Sequence, residues 1–413
     1  MNYIRSTRSG MFWTAFLRGS TRVVNIGKTA LLARILMPSQ FGVFGIVTLA
    51  LSLLEMLTET GINVFLLQQR DKLEKYVDTA WFISIVRGAL ISLLLFLFSP
   101  FIAGFFRSQD SLSILRLACL VPLFRGFINP SNITFLKQLQ FKKEFLYRFT
   151  IVFAETLVTL MAVYFYRSPA GLVAGMVASS ALEVILSFAL FSPRPALAFR
   201  LPQVWQIIHQ GKWVTGFGIL DYIFTTGDNI IVGRLLGEYS LGIYQNAYKL
   251  STQPMGEIND IFYKVTFPLF IKMSGDKSLR RETILRYIAV HILLVVTIAV
   301  LVYAFAPVFI SLLLGPAWLS AIPVVRILAF LGITRGITLS FNALLMSQGR
   351  QRDVAIVSLL NVLGLSFTIV PMVRSFGLSG AAYSAIIGSV FALPVAVHFI
   401  SISLRSTVNA DTT

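Results

Sequence analysis

Apolar residues run along this chain in stretches of about 20, the length a helix needs to cross the hydrocarbon core of a bilayer. Short polar or basic clusters separate them. The pattern predicts spans near 11–36, 40–66, 78–106, 110–134, 145–166, 169–191, 209–236, 239–268, 283–306, 318–346, 352–373 and 378–404, about twelve in all, with ten and thirteen as alternatives. Several stretches exceed a perpendicular crossing, so tilt or extension past the headgroups is expected. This is the pattern of an all-α polytopic membrane protein.

Composition sharpens that reading. Of 413 residues, 56% are hydrophobic and 13% charged, with a mean hydropathy of +0.78. A soluble domain carries about 25% charged residues, and this shortfall leaves too little polar surface to cover a body in water. One cysteine, Cys119, excludes an intramolecular disulfide, and His209, His291 and His398 are too scattered to suggest a metal site. There is no GxxxxGK[ST] loop, no GxSxG elbow and no HExxH, so no catalytic residues and no cofactor are assigned and the chain is read as non-enzymatic. Arg5 and Arg8 are followed by a segment bearing Arg18, Arg22 and Lys28, too long and polar for a cleavable signal peptide.

The net charge of +17 changes the picture in a different way. With the N-terminus inside, 21 of the 35 Lys and Arg residues fall on the cytoplasmic side, in clusters such as Arg70, Lys72 and Lys75, then Lys137, Lys142, Lys143 and Arg148, then the loop containing Lys277. The other side receives Arg107, Arg167 and Arg374. Cytoplasmic loops collect basic residues, so an N-in, C-in topology explains much of the excess and membrane lipid, not nucleic acid, is the expected neighbour.

The chain also reads as duplicated. Arg34, Leu36 and Gly42 recur as Arg234, Leu236 and Gly242, and Arg116 with Arg125-Gly126 recurs as Arg326 with Arg335-Gly336. Two six-helix halves follow, 1–191 and 209–413, joined by a cytoplasmic segment at 192–208 with Pro193, Pro195 and Pro202. Parallel repeats of this kind bind substrate between the halves.

Ionisable residues inside spans are costly and face a partner or a hydrated cavity. Arg18 and Arg22 share a helix face, and an antiparallel hairpin of the first two spans would set Arg18 opposite Glu59 and Arg22 opposite Glu55. Two readings stand: ion pairs that tie helices together, or arginines held by Glu55 and Glu59 and offered to an anionic ligand, which the guanidinium fork suits. Arg87, Arg125 and Arg335 also lie too deep for lipid exposure. The second half carries Asp221 and Asp228 instead, and Asp228, Asn229 and Asn361 are candidate oxygen ligands for a coupling Na⁺ or H⁺, with a structural Asp228-Asn229 pair as the alternative.

Leu32-Ala33-Arg34-Ile35-Leu36 through Phe41-Gly42-Val43-Phe44, Glu59-Thr60-Gly61-Ile62, Asp228-Asn229-Ile230-Ile231-Val232-Gly233-Arg234-Leu235-Leu236-Gly237 and Leu241-Gly242-Ile243-Tyr244, followed by Pro254 and Phe267-Pro268, resemble bacterial polysaccharide-repeat flippases of the Wzx type. The resemblance implies the multidrug/oligosaccharidyl-lipid/polysaccharide (MOP) exporter superfamily with its MATE-like fold of two bundles. It also implies a bacterial inner-membrane location and alternating-access transfer of an undecaprenyl-pyrophosphate-linked oligosaccharide, an O-antigen or exopolysaccharide repeat, to the outer leaflet. The family's cationic central cavity maps onto Arg18, Arg22, Arg87, Arg125 and Arg335. Glycosyltransferases and a polysaccharide polymerase are the implied protein partners. A multidrug or cation antiporter of the same superfamily, or a membrane polymerase, are the rival readings.

Overall fold

The computed structural model describes residues 2–68, 74–273 and 280–409. Arg70, Lys72 and Lys277, and the side chains of Arg5, Arg8, His209 and Asp221, lie outside the described residues. Among the described residues, regular structure is entirely helical: α1 (Asn2–Ile35), α2 (Pro38–Leu57), α3 (Ile62–Gln68), α4 (Glu74–Phe106), α5 (Ser111–Ala118), α6 (Leu120–Gly126), α7 (Thr134–Lys137), α8 (Phe141–Tyr166), α9 (Ala170–Leu190), α10 (Leu201–Met273), α11 (Arg280–Phe309), α12 (Ala321–Ser347) and α13 (Gln351–Asn409).

Seven described helices are long and apolar enough to cross a membrane, or eight when the pair Ser111–Gly126 and Pro130–Lys137, bent by 69°, counts as one span. The protein is a polytopic helical membrane protein. Some expected spans differ in outline. The expected fourth span is broken, because Cys119 and then Asn129-Pro130 interrupt it. The stretches expected as two spans at 209–268 and at 352–404 are continuous except at Gly237 (φ 82°) and Gly377 (φ 58°), conformations that glycine alone adopts without strain.

Packing divides the chain into two compact units, Met1–Tyr222 and Ile223–Thr413. The segment expected to connect the halves, 192–208, therefore lies within the first unit. Residues 191–200, with Pro193 and Pro195, are non-helical, whereas Pro202 lies in the first turn of α10, and hydrogen bonds staple the segment down. Ser131 Oγ and Asn129 Nδ2 donate to the Pro193 carbonyl at 2.8 and 3.3 Å, the Ala196 amide donates to Asp78 Oδ1 at 2.9 Å, and Thr79 donates to Gln203 at 2.6 Å.

In the first unit, α8 and α9 form a hairpin and α1 lies along α8, tied by Lys28 to Glu155 at 2.8 Å. A Cβ on Gly175 would meet the Glu155 carbonyl at 3.0 Å, the close approach that small residues permit between membrane helices. Val47, Leu51, Leu95, Leu115 and Val173 fill the core. In the second unit, α12 packs on α11 and α13 around Ile284, Ile288, Leu344 and Ile400. Outward faces are apolar: Leu97, Phe98 and Phe101 on α4 and Leu293 on α11 are exposed, as lipid contact requires.

Candidate functional site

A cavity of about 450 Å³ opens in the first unit, lined by Glu55, Glu59, Arg87, Arg125, Arg148 and Glu183 together with apolar Ile91, Pro122 and Leu136. Its two deep arginines arrive there through a glycine crossing. A Cβ on Gly88 would sit 2.9 Å from the Gly126 Cα, and one on Gly126 would sit 2.9 Å from the Ser84 carbonyl. The α4 and α6 backbones touch at these glycines, so Arg87 and Arg125, each one residue earlier, share the cavity wall beside the crossing.

The two arginines are held differently. Arg87 Nη2 donates to the Glu55 carbonyl at 2.7 Å and to Glu59 Oε2 at 3.0 Å, and its Nε donates to Thr58 Oγ1 at 3.2 Å. It thus plugs the C-terminus of α2, where carbonyls lack helix partners and the dipole favours a cation. Glu59 in turn accepts from the Gly61 amide at 3.0 Å. Arg125 makes one ion pair, to Glu55 Oε1 at 2.6 Å, with side-chain exposures of 44% and 31%. One of its five guanidinium N–H donors is used in this hydrogen bond, and the residue lines the cavity.

A second polar cluster borders the same cavity. Arg148 donates to Glu144 at 2.9 Å and to Glu183 Oε1 at 3.1 Å, and Tyr147 donates to the same Glu183 oxygen at 3.3 Å. Sequence reading placed Arg148 among the basic loop residues and passed over Glu183. A lone acid inside an otherwise apolar 21-residue helix was the available signal, since such a group needs a partner.

The remaining predicted residues lie elsewhere. Arg18 and Arg22 are on α1 and do not line this cavity. Glu59 and Glu55 bind Arg87 and Arg125, and α1 packs along α8. Considering only helices adjacent in sequence missed the α4 and α6 partners.

Arg335 belongs to the second unit, on α12, over the Tyr248 ring at 5.3 Å. Near it, buried Asp228 accepts from the amide and side chain of Asn229, both at 2.8 Å, and from the Tyr244 hydroxyl at 2.9 Å. Asn361 is on α13, where its backbone carbonyl faces Gly388, and no hydrogen bond joins it to Asp228 or Asn229 among the described residues. Asn229 and Asn361 each keep a buried side-chain oxygen without a hydrogen-bond partner. Such oxygens suit a hard cation.

These features define a multi-pass helical membrane protein of the MurJ- and MATE-like fold. The superposition on "Lipid II flippase MurJ, inward closed conformation" has a TM-score of 0.76 at 12% identity and covers 97% of this chain and 90% of that one. The chain belongs to the polysaccharide biosynthesis protein family, whose model matches residues 31–323, as the motif resemblance implied. It is 26% identical to the teichuronic acid biosynthesis protein TuaB of Bacillus subtilis over 83% of this chain and 71% of that protein. It is 24% identical to the lipopolysaccharide biosynthesis protein WzxC of Escherichia coli over 85% and 72%.

Proposed function

We propose that the protein moves an undecaprenyl-pyrophosphate-linked oligosaccharide, an O-antigen or exopolysaccharide repeat unit, from the inner to the outer leaflet of the bacterial inner membrane by alternating access. Arg125 carries this reading. It lines a cavity large enough for a pyrophosphate and a sugar, and its donors suit bidentate recognition of phosphate oxygens. Exchange of Glu55 for phosphate would replace one charge-assisted hydrogen bond with a bidentate pair, while Arg87, with three acceptors, stays in place and holds the wall.

Counting α1 and the bent pair as one span each, and dividing α10 at Gly237 and α13 at Gly377, supports twelve spans in two six-helix halves, N-in and C-in. Glycosyltransferases supply the substrate on one side and a polymerase consumes it on the other. Asp228, Asn229 and Asn361 are the proposed residues for a coupling Na⁺ or H⁺.

The test is the leaflet position of lipid-linked repeats in a deletion strain without a redundant flippase, read with an impermeant sugar-oxidising probe on intact spheroplasts. Repeats that react only after lysis are the expected result. Normal outward display overturns the proposal and leaves the multidrug antiporter, which the MATE-like fold accommodates, to be tested on a drug panel.

A further inference from the structure

The cavity holds two separate polar groups, and the lipid-linked substrate just proposed has two chemically distinct polar parts next to each other. Arg125 and Glu55 form one group. Arg148, Glu183 and Tyr147, from α8 and α9, form the other, and no ion pair joins the two among the described residues.

The second group is unsuited to an anion. The Arg148 guanidinium is bound to two carboxylates, Glu144 and Glu183, so the cluster carries one more negative than positive charge. Glu144 is buried, with its second oxygen lacking a hydrogen-bond partner, and it holds Arg148 from behind. Glu183 lines the cavity with its side chain 16% exposed. Tyr147 and Arg148 both donate to Oε1, and Oε2 is a further acceptor. Hydroxyl groups on adjacent sugar carbons are donors at a spacing a carboxylate can take, and Asn132 on the same wall is hydrogen-bonded to Tyr147.

We propose that Glu183, oriented by Arg148 and Tyr147, is a sugar-binding subsite for the residue next to the pyrophosphate, and that it selects a neutral hydroxyl-bearing sugar against a uronic acid. A uronate carboxylate there would face the Glu183 carboxylate at short range, with Arg148 already neutralised. Like charges in that arrangement are strongly disfavoured in a site partly shielded from water. A neutral hexose donates hydrogen bonds instead.

This rests on the pyrophosphate reading of Arg125, and the experiment separates the two. Binding to the purified full chain in lipid nanodiscs is measured for three probes: a prenyl pyrophosphate alone, the same lipid carrying glucose, and the same lipid carrying glucuronate. The unmodified protein is expected to bind the glucose probe about tenfold more tightly than the bare lipid and the glucuronate probe no better than the bare lipid. In Glu183→Gln, an isosteric change, bare-lipid affinity is expected to hold while the ratio of glucose to glucuronate affinity falls towards one. Equal binding of the three probes by the unmodified protein overturns the subsite without any variant. A Glu183→Gln protein that loses affinity equally for all three shows a structural role only and also overturns it. Failure of every prenyl pyrophosphate to bind removes the Arg125 reading, and this inference with it.

Discussion

Arg125 and Glu55 meet through a single 2.6 Å ion pair between half-exposed side chains, so the carboxylate occupies the guanidinium where a phosphate would sit. Glu55→Gln keeps a hydrogen-bond acceptor and removes the competing charge. Prenyl pyrophosphate should then bind about three- to tenfold more tightly, the factor expected from about 1 kcal/mol, and transport should slow because release is harder. Arg125→Ala should lose about tenfold or more in affinity at normal membrane abundance. Titration of both variants against the unmodified protein decides it; unchanged affinity in both would remove the exchange mechanism.

Arg87 should behave in the opposite manner. Its guanidinium serves the Glu55 carbonyl, Thr58 and Glu59 at once, and Arg87→Ala leaves a helix terminus and a carboxylate without their donor. The loss is about 1–3 kcal/mol, which should lower the thermal unfolding midpoint by about 1–4 °C. Arg125→Ala should leave that midpoint nearly unchanged. Equal stability of the two variants would mean that the division between a structural and an exchangeable arginine is wrong.

The crossing of α4 and α6 can be tested with a matched pair of glycines. At Gly88 a Cβ would press on the Pro122 carbonyl at 2.5 Å and the Gly126 Cα at 2.9 Å, backbone atoms that cannot step aside, whereas at Gly104 on the same helix nothing lies within 4 Å. Gly88→Ala should therefore spread the crossing, displace Arg87 and Arg125 and abolish transport. Gly104→Ala should be neutral or slightly stabilising, since alanine is favoured in a helix interior by about 0.5–1 kcal/mol. Complementation and unfolding midpoints of the two, measured side by side, are the check.

Much of the fold was legible because period and length are local properties. The apolar stretches at 78–106, 145–166 and 169–191 became α4, α8 and α9 with small shifts of their ends. Arg116 stacks on Phe96 of α4 and Arg326 on Tyr303 of α11.

The site was legible only in residue type. Family motif residues such as Leu32, Leu36, Val43, Leu241 and Ile243 are buried packing residues, and Gly61 and Gly237 hold positive φ angles, so most motif positions mark the fold; of the motif residues, Glu59 and Ile62 alone line the described cavity. Arg87 and Arg125 could be recognised as deep. Their partners could not, because depth along a span does not say which helix stands opposite, and Glu183 has no motif at all.

The last prediction concerns the second unit. Asp228 receives three hydrogen bonds, from Tyr244 and twice from Asn229, an arrangement that fits either a structural knot or a cation site. The alternatives separate by readout. If Asp228 serves a coupling ion, Asp228→Asn should remove the dependence of transport on Na⁺ or on the proton gradient while the protein still folds, because the amide keeps the shape and one acceptor oxygen but lacks the charge that holds a cation. Tyr244→Phe, which removes one donor to Asp228 and leaves its charge, should keep ion dependence and lower thermal stability by about 1–2 kcal/mol equivalent. A purely structural role predicts the reverse ranking: both variants less stable, and ion dependence in proteoliposomes unchanged in each.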